Sequence, residues 1–541
     1  MNRLYYGDNL AILRDQIAAE SVDLVYLDPP FNSNATNVLF KAPSGEASRA
    51  QIEAFEDTWH WNDSAEEAYW QVLHGANTDA AKMLEAMRGF LGQNDMMAYL
   101  AMMAVRLIEL HKVLKPTGSL YLHCDPVASH YLKILLDSIF GPTNFRSEII
   151  WKRTSAHSNV YSAYGDITDT IFFYSKGSSW TWNQLYRVQS PSDIERAFPN
   201  VDPDGRRWRS ENMRNPGIRP NLHYPYTASN GVTYQPHPNG WTTSIEKMKA
   251  LAAAGKLHFP AKPNGRLRLK FYADGSQGIK LQNLWDDISA IGAQAQERLG
   301  YPTQKPLALL ERIISASSNE GDVVLDPFCG CGTTVHAAQK LGRQWIGIDV
   351  THLAISLIER RLEEAFPGIR FETIGVPRDV GGARALAERD KHEFQKWAIT
   401  LIPDAQPWKG GKKGADTGID GIVYLRTGKN QSHRGIIEVK GGEAVGVDVV
   451  HKLKSVIERE KALVGILISL NPPSKAAEKE AVAAGFAEVD MGTGTMRLRR
   501  VQILTVEQLM TGARAELPIV DSTAFRRAPR EETTSQPELD F

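Results

Sequence analysis

The stretch Ser21-Val22-Asp23-Leu24-Val25-Tyr26-Leu27-Asp28-Pro29-Pro30-Phe31 decides the fold of the first half of the chain. Its apolar run predicts a buried strand, and the Pro-Pro pair ends that strand because proline cannot donate to a sheet ladder. Gly321-Asp322-Val323-Val324-Leu325-Asp326 repeats the pattern and leads into Pro327-Phe328-Cys329-Gly330-Cys331-Gly332. Asp28 and Asp326 are therefore predicted at carboxyl ends of strands, where open α/β sheets bind their ligands.

The segments around these two strands alternate between helical and strand patterns. Helices are predicted over Tyr99 to Leu114 and Thr333 to Leu341, and strands over Ser119–His123 and Gln344–Asp349. This alternation predicts a doubly wound, Rossmann-like α/β sheet that is interrupted by a long insert.

Length and composition set the outer bounds. The chain has 541 residues, of which 42% are hydrophobic, and this size predicts three or four domains with packed cores. Its three cysteines fit a reducing compartment. No window approaches the roughly 18 apolar residues that a membrane span needs, and no apolar signal core opens the chain, so we expect a cytoplasmic protein without membrane contact.

The net charge of -1 gives no global attraction to nucleic acid. Residues 180–282, however, contain fifteen Arg and Lys against seven Asp and Glu, with twelve aromatic residues interleaved. Cations for phosphates and rings for stacking are typical of a surface that reads double-stranded DNA. The alternative is a basic insert whose rings form its own small core, and both interpretations can hold in part.

The second strand and its turn predict a cofactor site. The glycine turn at Gly330 and Gly332 lets a ligand approach the backbone, and Asp349 at the end of the next strand can bind ribose hydroxyls. A nicotinamide cofactor is disfavoured because the turn lacks the third glycine of the dinucleotide fingerprint.

The first motif predicts chemistry on an exocyclic amine of a base. Such an amine is a poor nucleophile because its lone pair is delocalised into the ring. Asp28 and the Pro29 carbonyl, followed by Pro30, can hold its hydrogens, and Phe31 can stack on a base rotated out of the helix. A plain strand-terminating turn is the alternative.

Residues 1 to about 375 resemble the beta group of DNA amino-methyltransferases, in which the catalytic motif precedes the cofactor motif. The resemblance rests on both motifs, on Leu4–Leu10, on Tyr301–Leu307 and on the segments beginning at Trp151 and Asp169. It implies S-adenosylmethionine as cofactor. The implied cofactor-binding residues are Asp8, Thr303, Lys305, Asp326, Phe328, Gly330, Gly332 and Asp349. An Asp before Pro-Pro favours N6 of adenine over N4 of cytosine in this family, and methylation at C5 is disfavoured because no cysteine follows a proline.

A second site is predicted downstream. A helix is predicted from Lys391 to Ile402 and carries Glu393. A strand from Ile419 to Leu425 includes Asp420, and Glu438 and Lys440 share one face of its hairpin partner, Arg434 to Lys440. Asp420 and Glu438 can hold Mg2+, and Lys440 can orient a water for phosphodiester hydrolysis. Residues 390 to 490 resemble the Mrr-like branch of PD-(D/E)XK endonucleases, which implies Asp420, Glu438 and Lys440 as the catalytic set and Glu393 as an auxiliary. A catalytically silent DNA-binding domain is the alternative.

These patterns predict one order of domains along the chain. The predicted parts are the catalytic half 1–178, the recognition insert 179–297, the cofactor half 298–376, a linker 377–390, the endonuclease-like α/β domain 391–515 and a disordered tail 516–541. A single-chain restriction and modification enzyme is the simplest arrangement, and a type III-like modification subunit with a non-cleaving C-terminal domain is the alternative. The chain has no phosphate-binding loop of its own, so translocation requires a helicase-like partner subunit. Gln536–Phe541 resembles peptides that dock on the sliding clamp, which implies the clamp as a further partner.

Overall fold

The computed structural model divides the chain into two compact units, Met1–Asn183 with Asn283–Phe541 and Gln184–Gln282. It describes residues 2–30, 40–41, 47–48, 60–155, 164–187, 189–260, 265–275, 278–292, 295–299, 301, 303–408, 418–427, 431–442, 445–490, 494–518 and 528–531. Phe31 and the clamp-like segment Gln536–Phe541 lie outside these residues.

Nine strands of the larger unit form one sheet. Their order is Leu284–Trp285, Phe145–Lys152, Thr168–Ser175, Leu114–Cys124, Val22–Leu27, Val323–Asp326, Gln344–Asp349, Arg3–Tyr6 and Glu372–Ile374. Only Thr168–Ser175 runs antiparallel to its neighbours. The two central strands, Val22–Leu27 and Val323–Asp326, pair in parallel. After Val22–Leu27 the chain adds its next strand of the sheet, Leu114–Cys124, on one side of the pair. After Val323–Asp326 it adds Gln344–Asp349 on the other side. The crevice at the carboxyl ends of the pair is therefore a topological switch point.

Helices cover both faces of the sheet, as the doubly wound prediction requires. Their bounds are Asn9–Asp15, Asp63–Leu73, Thr78–Leu91, Asp95–Val113, Pro126–Phe140, Leu307–Ser317, Thr333–Lys340 and His352–Ala365, and a short hairpin pairs Phe40–Lys41 with Ala47–Ser48. Along the central strand, Val25 and Leu27 belong to one hydrophobic core, and Leu24 and Tyr26 belong to the other. This alternation shows that both faces of the strand are buried, which explains its unbroken apolar sequence.

The insert is the smaller unit and has its own core. Its strands are Tyr186–Arg187, Asn200–Val201, Arg207–Asn212, Tyr226–Thr227, Thr233–Tyr234, Leu257–His258, Arg268–Tyr272 and Ile279–Lys280, and its helices are Pro191–Ala197 and Ile245–Ala253. The core includes Tyr226, Tyr234 and Trp241, and Trp208 and Tyr272 are also buried. These rings pack inside the insert, as expected if its aromatic residues form a small core of their own. The unit is narrower than the predicted 179–297.

The C-terminal domain is a second α/β body within the larger unit. Its sheet has the order Gln406–Pro407, Gly421–Thr427, Gln431–Lys440, Val464–Ser469 and Val501–Thr505. The flanking elements are the helices Lys391–Thr400, Val447–Arg459, Lys475–Ala483 and Val506–Met510 and the hairpin of Phe486–Asp490 with Thr495–Arg499. The predicted helix from Lys391, the predicted strand at Asp420 and its hairpin partner that ends at Lys440 are all present.

Two predicted boundaries differ from the structure. The segment 377–390, expected as a linker, contains the helix Val380–Arg389, whose Ala383, Leu386 and Ala387 are buried in the C-terminal core. The tail was expected to be disordered, but Ala528–Glu531 packs against the helix His352–Ala365 through an Ala528 amide bond to Glu364 of 2.9 Å. Among the described residues, no helix is long and apolar enough to cross a membrane.

Candidate functional site

Asp28 lies at the carboxyl end of its strand, as predicted, and one of its oxygens is paired with Lys305. The Lys305 ammonium donates to Asp28 Oδ2, and both side chains are largely buried. The other oxygen, Oδ1, is buried and has no hydrogen-bond partner in the described part of the chain. The carboxylate therefore keeps one acceptor position open beside a balancing positive charge.

The glycine turn brings Asp349 against the loop that follows Asp326. The Gly330 amide donates to Asp349 Oδ2 at 2.9 Å, and the Thr351 amide and hydroxyl donate to Oδ1, each at 2.9 Å. Gly330 and Gly332 have φ of 52° and 75°, in the left-handed region that favours glycine. A Cβ on Gly332 would also lie 2.8 Å from Ile358. The two glycines shape the turn and allow it to pack on the helix behind it.

A buried arginine network holds that turn from behind. Arg361 donates from Nη1 to the Cys331 carbonyl at 2.9 Å and to Thr333 Oγ1 at 3.1 Å. Its Nε donates to His336 Nδ1 at 3.1 Å, and His336 in turn donates from Nε2 to Glu531 at 2.9 Å. Burial and the charge of Arg361 lower the pKa of His336 to about 4, so its ring is neutral near pH 7.

A second network ties the segment after the first strand to the same loop. Arg106, which is buried, donates to Asp8 Oδ1 at 2.9 Å and to Asn9 Oδ1 at 2.6 Å. Asn9 donates to the Pro327 carbonyl at 2.8 Å, directly after Asp326. Arg106 and Asn9 were missed in the sequence, because one lies in an apolar helix pattern and the other reads as an ordinary helix start.

The carboxylates of the site influence one another. Asp326 Oδ1 accepts the Phe328 amide at 3.0 Å. Burial, together with the charges of Asp28 and Asp349, raises the pKa of Asp326 to about 7. Burial likewise raises the pKa of Asp349. Of the predicted cofactor residues, Asp8 and Thr303 are exposed and Lys305 and Phe328 are half-buried. Asp326 and Asp349 end their strands at the same edge of the sheet.

A chain of buried polar side chains links the strand before Asp28 to its two neighbours on one side. It was not predicted from the sequence. Tyr26 donates to His123 Nδ1 at 2.9 Å, and His123 Nε2 donates to Asp169 Oδ2 at 3.0 Å. Burial raises the pKa of Asp169, but the His123 bond and the charges of Lys305 and Arg153 outweigh that effect and lower it. Asp169 therefore stays ionised and fixes the His123 tautomer.

Comparison with known proteins identifies this half of the chain. Residues 22–360, more than half of the chain, match the N6/N4 methyltransferase family described as DNA methylase. The chain belongs to this family of DNA methyltransferases.

Curated relatives agree with that assignment. The methyltransferase is 29% identical to the Type II methyltransferase M.EcaI of Enterobacter cloacae, over 66% of this chain and 69% of the relative. It is 25% identical to the DNA adenine methyltransferase YhdJ of Escherichia coli, over 67% of this chain and 83% of that protein. It is 27% identical to the Type III StyLTI Mod subunit of Salmonella typhimurium over 63% of this chain, and it spans only 50% of that relative's length.

Solved structures of DNA methyltransferases are similar at low identity. The PvuII DNA methyltransferase, titled cytosine-N4-specific, has a TM-score of 0.33 and 14% identity over 68% of this chain and 89% of that one. The M1.HpyAVI–SAM complex has a TM-score of 0.31 and 16% identity over 67% of this chain and 100% of that one.

In the C-terminal domain, three of the predicted nuclease residues lie together. Asp420 Oδ2 accepts the Val439 amide at 2.7 Å, which places its carboxylate between Glu438 and Lys440 along the partner strand. Lys440 Nζ lies 2.7 Å from Glu438 Oε1, and Glu438 is buried. No group of three His, Cys, Asp or Glu side chains suited to a metal occurs among the described residues. Residues 407–511 match a family described as NACHT-associated inactive Restriction Endonuclease 1.

Glu393, predicted as the nuclease auxiliary, makes its described side-chain contacts with the methyltransferase and with its own helix. Its carboxylate accepts from the Tyr6 hydroxyl and from Lys396 at 3.0 Å, and it lies 3.8 Å from His352. Tyr6 and His352 belong to the methyltransferase. The contacts that the structure describes for Glu393 thus face the methyltransferase side, and its predicted nuclease role has no support from them.

Proposed function

We propose that this protein transfers a methyl group from S-adenosylmethionine to the exocyclic amine of a flipped base in double-stranded DNA, with N6 of adenine as the target. The open acceptor position on Asp28 Oδ1 carries the proposal. It is buried, it lies at the switch point of the sheet, and its carboxylate is balanced by Lys305. A buried acceptor without a donor is costly unless a ligand supplies one.

The residues of this site can activate an amine without becoming nucleophiles themselves. Asp28 Oδ1 and the Pro29 carbonyl accept the two amine hydrogens, which directs the nitrogen lone pair out of the ring plane. Lys305 places a positive charge against Asp28, and the Tyr26–His123–Asp169 chain ties the strand before Asp28 to its neighbours. Phe31 keeps its predicted role as the stacking face for the flipped base.

The described residues on the cofactor side fit S-adenosylmethionine. Asp349 and Asp8 present carboxylates at the ends of neighbouring strands, and Asp326 with the Phe328 turn forms the floor between them. When bound, the cofactor supplies an electrophilic methyl group. Asp8 and Asp349 are proposed to hold its adenosine part, while Lys305 and Thr303 lie on the segment expected near its methionine part.

Adenine is proposed because an aspartate precedes Pro29-Pro30, which in such methyltransferases favours adenine. The curated relative YhdJ is named as an adenine methyltransferase. N4 of cytosine is the competing target, and nucleoside analysis separates the two directly.

For the C-terminal domain we propose a non-cleaving role, which is the second of the two sequence interpretations. Glu438 is paired with Lys440, and Asp420 accepts a backbone amide. The matching family is described as inactive. A Mg2+-dependent endonuclease remains the competing function, because Asp420, Glu438 and Lys440 are adjacent. Cleavage of DNA would then fall to a separate restriction subunit with its own motor, as the similarity to Type III Mod subunits suggests.

One experiment tests both activities. Wild type, Asp28→Ala and Glu438→Ala are incubated with unmethylated plasmid, S-adenosylmethionine and Mg2+, and methylated nucleosides and strand breaks are measured together. We expect N6-methyladenine from wild type and Glu438→Ala, a loss of at least about 100-fold in Asp28→Ala, and no breaks from any of them. Asp15→Asn, which changes an exposed carboxylate on the helix preceding the Asp28 strand, is the control. N4-methylcytosine would contradict the base assignment, and breaks that depend on Glu438 would establish the nuclease.

A further inference from the structure

The first helix of the C-terminal domain, Lys391–Thr400, meets the methyltransferase at a stacked pair of rings. Tyr6 and His352 stack with ring centroids 3.7 Å apart and planes inclined by 14°. The Tyr6 hydroxyl donates to Glu393, which also lies 3.8 Å from His352 Nε2. One carboxylate of the C-terminal domain thus binds the Tyr6 hydroxyl and lies beside His352, whose ring nitrogens have no hydrogen-bond partner among the described residues.

This ring pair is directly attached to the proposed cofactor carboxylates. Tyr6 is the register partner of Asp349 in the parallel strands, and the Gly7 amide donates to the Asp349 carbonyl at 3.0 Å. His352 follows Thr351, whose amide and hydroxyl both hold Asp349 Oδ1. Asp8 comes two residues after Tyr6. A shift of either ring would therefore move Asp349 or Asp8.

We infer that Glu393 is a positioning residue of the methyltransferase: by holding Tyr6, which stacks on His352, it sets Asp8 and Asp349, so the C-terminal domain completes the cofactor site. The inference rests on the proposed binding of S-adenosylmethionine. It gives the C-terminal domain a role that needs no nuclease activity.

The charges around the contact favour this arrangement near neutral pH. Burial raises the pKa of Glu393, but its bonds to Tyr6 and Lys396 outweigh burial and lower it, so the carboxylate is ionised. Burial lowers the pKa of His352 to about 4, so the ring is neutral and stacks without a charge. The other charged groups that act on Tyr6 and His352 are Arg389, Asp390 and Lys396. An ionised acceptor gives the Tyr6 hydroxyl a stronger bond than a neutral one would.

The test measures cofactor affinity in the full chain. We expect Glu393→Ala and Tyr6→Phe each to raise the Kd for S-adenosylmethionine in calorimetry about tenfold. The KM for the cofactor should rise likewise, while kcat at saturating cofactor stays near the wild-type value. Glu393→Gln should retain most of the affinity, because its amide oxygen still accepts from Tyr6. Glu388→Ala, which removes an exposed carboxylate from the preceding helix, is the matched control and should bind as wild type does.

A double variant separates positioning from a general loss of packing. If Tyr6 and Glu393 act through one bond, Tyr6→Phe combined with Glu393→Ala should be no weaker than the worse single variant. Cofactor should also slow hydrogen exchange in Lys391–Thr400 of wild type, since coupling between two sites is reciprocal. A folded Glu393→Ala protein, or a Tyr6→Phe protein, with wild-type Kd would overturn the inference and leave the proposed function intact. A wild-type chain that does not bind the cofactor would overturn both.

Discussion

Asp326 gives the site a pH dependence whose direction follows from its environment. Its pKa in the folded protein, about 7, lies above the ordinary value of 3.8. The fold therefore favours the protonated carboxyl. This contribution to stability is complete below about pH 4 and is lost as the pH rises through 7.

Asp326→Asn removes that titration and keeps an oxygen for the Phe328 amide. We expect the thermal midpoint of wild type to fall between pH 5 and pH 8 relative to that of Asp326→Asn. Within this window the loss of stability is at most about 3 kcal/mol, because only the interval from pH 5 to the folded pKa of about 7 contributes. Asp15→Asn should follow the wild-type curve. Parallel curves for wild type and Asp326→Asn would show that the carboxyl is ionised throughout this range.

Residues at strand ends were predictable, whereas residues that act through tertiary contacts were not. The pattern of apolar runs and turns placed Asp28, Asp326 and Asp349 at one edge, because strand direction alone fixes that edge. His123 lies in an apolar strand, and nothing in that strand reveals Asp169 as its partner. The contact of Glu393 with Tyr6 could not be predicted either, since it depends on how two domains dock.

At the scale of elements, the glycine turn is supported by a short piece of the tail. Ala528 is buried beside Cys331 and Leu357, and the Glu531 amide donates to the Ala365 carbonyl at 3.0 Å. Glu531 also lies 3.2 Å from Lys340, at the end of the helix that follows the turn. The polar tail composition predicted disorder, because four docked residues hardly change the average of such a segment.

Glu531→Ala should loosen the helix that follows the turn. The variant leaves His336 Nε2 without an acceptor and Lys340 without one of its two carboxylates, and a bond to a charged group is worth about 1.5–3 kcal/mol. We expect faster hydrogen exchange in Thr333–Lys340 and weaker cofactor binding. Exchange in Val447–Arg459 should not change. Glu458→Ala on that distant helix is the control, and equal exchange in both variants would show that the tail contact is unimportant.

At the scale of the whole molecule, recognition of DNA is proposed to reside in the insert, but its cations are of two kinds. Arg206, Arg207, Arg209 and Lys270 form ion pairs with acids of the insert itself. Arg214, Arg219, Arg266 and Arg268 are exposed and have no ion-pair partner among the residues described. Partial burial and the charges of Arg214 and Arg266 lower the pKa of His237, so both arginines lie close enough to this ring to act on it. The sequence revealed the excess of charge, and only the fold distinguishes the paired cations from the available ones.

This distinction predicts how binding of DNA should respond to salt. Each cation that neutralises a phosphate releases a counterion and contributes about 0.9 to the slope of log K against log salt concentration. Replacing Arg214 and Arg266 together with alanine should reduce that slope by about 2 in fluorescence anisotropy on duplex DNA. Replacing Arg206 and Arg207 removes the same charge from the chain, yet should change the slope less, because both are already paired with Asp204 and Glu195. Equal slopes for the two double variants would mean that net charge alone draws the insert to DNA. An unchanged slope for the Arg214 and Arg266 variant would exclude these two arginines from the DNA-binding surface.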